Sequence, residues 1–92
     1  MDFEFHKELL KDLIKISKKD PVLYAQVLNK VDEIKNCSDV EHYKNLKKPL
    51  QIFKRVHITQ KFVLIFRYLK KENKILFRYF EHRDNVYKNN YD

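Results

Sequence analysis

Ninety-two residues, 43% of them hydrophobic and with seven Phe and six Tyr, suffice for one packed domain, 1–92, and exclude a disordered tail. Twenty Lys and Arg against thirteen Asp and Glu leave a net charge of +7, which suits an acidic partner: nucleic acid, an anionic membrane or an acidic protein. A single cysteine, Cys37, excludes an intrachain disulfide and fits a reducing compartment, and the absence of Gly excludes a Gly-rich phosphate loop.

In chain order, Asp2 to Phe5 alternates polar and apolar residues, which predicts a short strand. No apolar run is long enough to cross a membrane and MDFEFHKE is not a signal pattern, so the cytoplasm is the expected place. From His6 to Lys18, Leu9, Leu10, Leu13, Ile14 and Ile16 form one stripe of an amphipathic helix. Asp20-Pro21 then supplies an N-cap and a first helical residue. A second helix should run from Pro21 to about Lys35, with Tyr24, Val27, Leu28, Val31 and Ile34 inward. The short connection makes the two a helix hairpin.

Asn36 to Gln51 is polar and basic and contains Pro49; it reads as loop with one helical turn near Val40 to Tyr43, anchored by Leu46 and Leu50. Three strands follow, Phe53 to Ile58, Phe62 to Leu69 and Lys74 to Phe80, joined by hairpin-length links at Thr59–Lys61 and Lys70–Asn73. The tail from Glu81 is polar, and Asn89 to Asp92 should fray. The fold class is α+β: a helix hairpin on one face of a small, mostly antiparallel sheet in the order β-α-α-β-β-β. The opposite face is expected to stay partly open and to carry any site.

Period-2 alternation turns Arg55 and His57 away from Val56 and Ile58, and Arg67, the lone charge of its strand, should join the open face. In the last strand Arg78 and His82 share one face, Tyr79 and Glu81 the other, and alternation does not say which looks out. His6, His42, His57 and His82 lack metal-ligand spacing, so neither metal nor cofactor is expected. Acid–base chemistry on RNA needs none: the 2′-hydroxyl is the nucleophile, and a base, an acid and cations complete the set. Histidine serves as base or acid, Arg and Lys hold phosphate, and Tyr stacks a base. Arg55, His57, His82, Arg83 and Tyr87 are of the right types, although a solvated basic face with incidental histidines accounts for them equally well.

YKNLKKPLQIFKRVHI at Tyr43 to Ile58, FVLIF at Phe62 to Phe66 and HRDNVY at His82 to Tyr87 together resemble the RelE/ParE superfamily of toxins from type II toxin–antitoxin modules, the archaeal RelE-like members above all. The resemblance spans nearly the whole chain. It implies a metal-independent, ribosome-dependent mRNA endonuclease that arrests translation in the cytoplasm. It also implies an acidic RelB-like antitoxin, contact with ribosome and mRNA, and operator DNA bound only through the toxin–antitoxin complex. Carried over by position, the catalytic set is Arg55, His57, His82, Arg83 and Tyr87, and the RNA- and ribosome-binding set is Lys44, Lys47, Lys48, Lys54, Lys61 and Arg67. One departure stands out: bacterial RelE members carry an arginine after the aromatic that opens the next strand, and here Phe62 precedes Val63. A ParE-like inhibitor of DNA gyrase, or an inert toxin kept as antitoxin partner and co-repressor, is the alternative.

Overall fold

The computed structural model describes residues 1–88. It places β1 (Asp2–Phe5), α1 (Lys7–Lys19), α2 (Pro21–Lys35), β2 (Lys54–His57), β3 (Phe62–Leu69) and β4 (Lys74–His82) in that order, with 3-10 turns at Val40–His42, Lys70–Glu72 and Arg83–Asn85. Asp20 both ends α1 and starts α2. Its amide donates to the Ile16 carbonyl at 2.8 Å, and its carboxylate accepts from the Leu23 amide at 3.1 Å. Pro21, which has no N–H to leave orphaned, follows at the first helical position.

The sheet runs β1-β4-β3-β2, with β1 parallel to β4 and the other pairs antiparallel. The predicted element order holds. The strands differ in extent: β2 is shorter than expected, with Phe53 and Ile58 outside it, and β4 continues to His82. Asn73 closes the turn before β4 at φ 50°, a left-handed conformation that Asn tolerates better than most residues. The frayed end expected at Asn89 to Asp92 lies outside the described residues.

Each face of the sheet carries its own core. On the helix side Leu9, Leu13, Val27, Val31, Ile34 and Val40 pack on Leu64, Phe66, Ile75 and Phe77. Leu10, Ile14 and Leu28, expected in this core, are instead 44%, 56% and 40% exposed. Adjacent residues on a helix are rotated by about 100°, so Leu9 and Leu13 take the stripe that meets the sheet and their successors turn past it.

The opposite face is less open than alternation suggested. Leu46, Phe53, Val63, Ile65 and Val86 form a second buried cluster there, with Leu50 and Tyr79 at its margin. The loop after α2 and the chain after β4 therefore both fold back over the strands. Burying such side chains stabilises by roughly 1.5–3 kcal/mol each, enough to fix two otherwise irregular segments.

Candidate active site

The candidate site sits where β2 ends, at the edge of the second core. Register pairs Arg55 with Ile65 and His57 with Val63, and both partners are buried in that core. Arg55 and His57 therefore project on the same face, just beyond the covering segments, as alternation predicts. Arg55 Nη1 lies 3.5 Å from His57 Nδ1. His57 borders two shallow clefts. One is lined by His57, Thr59, Gln60 and Arg83. The other is lined by His42, Tyr43, Lys44, Arg55, Val56 and His57.

Arg83 reaches the first cleft because its amide donates to the Lys61 carbonyl at 2.8 Å, which seats the turn after β4 against the β2–β3 link. Its side chain is exposed, with Nε 3.7 Å from Asp84 Oδ1. Lys44 reaches the second cleft because its carbonyl accepts from the Arg55 amide at 2.9 Å. The fold thus brings together two guanidinium groups, an ammonium and two imidazoles from three separate segments. Such a set can hold a phosphodiester and move protons around it.

Other predicted residues lie elsewhere. His82 pairs with Phe62 in the sheet, and its ring stands edge-on to Phe62 at 5.6 Å. Its Nδ1 accepts from the Asp84 amide at 3.2 Å, so it caps the following turn. It lies with Phe62 and Phe80 on the helix-facing side, away from His57. The Tyr87 hydroxyl accepts from the Lys47 amide at 3.0 Å, which ties the chain end to the basic loop. Lys54 lies on the face opposite Arg55. Its Nζ donates to the Tyr43 carbonyl at 3.0 Å and to Asn45 Oδ1 at 2.8 Å, with the Glu41 carbonyl at 3.5 Å. Lys47 and Lys48 are exposed on the loop before β2, and Lys61 is exposed on the β2–β3 link. Arg67 shares the face of Val63 but lies four residues along β3, about 13 Å away at the usual strand rise. Val63 is 2% exposed and offers no cation at the departure noted above.

Arg78 sits at the irregularity in the β3–β4 pairing, where Ile65 opposes Tyr79 and Phe66 opposes Phe77. Its guanidinium lies 5.3 Å from the Tyr79 ring centroid, and Nη2 is 3.2 Å from the Tyr79 hydroxyl. The cleft residue that sequence reasoning left out is His42. The bridge between Asn45 and Lys54 and the hydrogen bonds of the Lys54 ammonium join its loop to β2 and carry it to the site. Beside it, the Tyr43 phenol is pushed above its ordinary value of 10.0, first by burial and then by the negative ends of Cys37 and Glu33. Among the described residues no group of three or more His, Cys, Asp or Glu is placed to hold a metal ion, and no helix is long and apolar enough to cross a membrane.

Over 87 residues the chain is 41% identical to a protein of Methanocaldococcus jannaschii provisionally named toxin RelE4, covering 95% of this chain and 90% of the relative. The chain belongs to the RelE-like toxin family. Solved structures share the fold. A YoeB/ParE toxin from Agrobacterium tumefaciens superposes with a TM-score of 0.76 at 10% identity, over 90% of this chain and 99% of that one. A chain of the YoeB–YefM complex from Staphylococcus aureus superposes with a TM-score of 0.72 at 13% identity, over 90% and 97%. No protein-family model matches this RelE-like chain.

Proposed function

We propose that this RelE-like protein is the toxin of a type II toxin–antitoxin pair and acts as a metal-independent, ribosome-dependent mRNA endonuclease. The observation that carries the reading is the convergence of Arg55, His57 and Arg83 around two clefts at the end of β2, with Lys44 beside them. Arg55 and Arg83 hold the scissile phosphate and the charge that builds on it, and His57 moves a proton. Tyr87 stacks or positions the RNA. The neighbouring lysines, Lys44, Lys47, Lys48 and Lys61, attract the RNA backbone. The partner is an acidic antitoxin that wraps the basic surface and orders on binding; the complexed relative YoeB–YefM supports that pairing. Operator DNA is contacted through the complex.

The test is translation on purified ribosomes, with primer extension along the mRNA, for wild type, Arg55→Met and Arg83→Ala. Cuts at A-site codons are expected for wild type, reduced about 100-fold or more in either variant, since one charge-stabilising group carries about that much. Normal translation and uncut mRNA with wild type would overturn the reading. One observation favours a second reading, a non-enzymatic inhibitor of gyrase: Val63 is buried where bacterial RelE members carry arginine. Blocked supercoiling in that same preparation would establish it.

A further inference from the structure

We propose that His42 is the proton-accepting group of the cleft and works opposite His57; the inference rests on the ribonuclease reading above. His42 lines the cleft that also contains Lys44, Arg55 and His57. Its orientation is set from several sides. Nδ1 is hydrogen-bonded to the Asp39 carbonyl. A carbonyl can only accept, so Nδ1 carries the hydrogen and the lone pair lies on Nε2. The ring lies 4.1 Å from that of Tyr43 at 37°, and Cys37 Sγ is 3.8 Å from Nδ1. The titratable and charged groups around it are thus Cys37, Tyr43, Lys44, Arg55 and His57.

Lys54 holds this arrangement in place. Its ammonium has three N–H donors, and three oxygens meet them, from Glu41, Tyr43 and Asn45. It is a positioning residue, one that pins residues 41–45 to β2, and not a phosphate ligand. Leu46 continues the attachment by donating its amide to the Phe53 carbonyl at 2.9 Å. His82, by contrast, is turned to the other face and occupied as a cap.

The proton accounting closes without a metal. His42 Nε2 takes the 2′-hydroxyl proton as the 2′-oxygen attacks phosphorus. The bond from phosphorus to the 5′-oxygen breaks, and the leaving oxygen takes a proton from His57 Nε2, the ring nitrogen that does not face Arg55. The products are a 2′,3′-cyclic phosphate and a 5′-hydroxyl.

The experiment compares wild type, His42→Ala, His6→Gln and Lys54→Met in ribosome-programmed cleavage across pH, with urea unfolding of each protein as a fold control. His42→Ala should slow cleavage about 100-fold or more, lose the low-pH limb of the rate profile, and regain rate when free imidazole is added. His6→Gln should stay within about threefold of wild type, because His6 caps α1 and lines neither cleft. Lys54→Met should lower the rate and speed amide hydrogen exchange at Lys44 to Leu46. A His42→Ala protein that cuts at the wild-type rate, or that keeps its low-pH limb, overturns the inference while leaving the ribonuclease reading standing. A wild type that does not cut overturns both, and the wild-type lane alone distinguishes the two failures.

Discussion

Replacing Val86 by Ala should expose how far the site depends on the second core. Val86 is 3% exposed and closes a cluster with Leu46, Phe53, Val63 and Ile65. The change removes two carbons, each carrying about 0.8 kcal/mol of burial, or roughly 1.6 kcal/mol in all. Incomplete collapse around the vacated space adds to that, so the expected loss is about 2 kcal/mol. In a domain of this size 1 kcal/mol shifts Tm by roughly 4–8 °C, so the melting point should fall by about 10 °C. Ile14→Ala is the control: Ile14 is 56% exposed, and its truncation should change stability by less than about 0.5 kcal/mol. Urea unfolding of both variants measures the difference. A Val86 variant as stable as the Ile14 variant would refute the claim that a second core exists on this face.

Two further outcomes follow from the same geometry. Tyr87→Phe removes the acceptor of the Lys47 amide; it should cost about 0.5 kcal/mol, at the low end for a hydrogen bond because the group is exposed. Hydrogen exchange at the Lys47 amide should accelerate with it, and an unchanged rate would remove the tether. Tyr43 gives an alkaline signature. Its folded pKa is raised above 10.0, so its contribution to stability is fully present below that value and is lost as pH rises through the folded value. Urea unfolding at about pH 9 and about pH 11 should show this loss in wild type and not in Tyr43→Phe.

Much of the fold was legible because the periodicities are clean. Asp20-Pro21 marks one helix boundary by two independent mechanisms, and Leu9, Leu13, Val27, Val31 and Ile34 recur at helical spacing and are all buried. Leu10, Ile14 and Leu28 show where the pattern stops informing. A run of adjacent apolar residues fixes that a helix is amphipathic, but only the neighbouring sheet decides which 100° of it is covered. The second core was less legible for a different reason. Leu46 and Leu50 stand out as apolar anchors in a polar loop, but Val86, in a polar tail, carries no periodicity to betray it. Its burial follows from the Arg83 amide finding the Lys61 carbonyl, a contact between segments distant in sequence.

The histidines show most directly why the candidate site could be read only in part. Arg55 and His57 lie on an uninterrupted strand, so alternation alone predicts their common face, and the structure places them there. On β4 the alternation is broken. Phe66 pairs with Phe77 and Leu64 with Phe80, so the two phenylalanines of β4 that oppose the helix-side residues are three apart instead of two. Arg78 is the extra residue, and from it onward every side chain changes face relative to a regular strand. His82 therefore goes with Phe80 to the helix side, although its type and its place beside Arg83 suit it to the chemistry. His42 makes the opposite journey: it sits in a loop whose sequence implies no face, and backbone bridges and a lysine with three oxygen partners carry it to the cleft. Residue type selects the candidates, and regular strand geometry sorts those it governs. A single inserted residue and one loop attachment then decide which imidazole lines a cleft with His57.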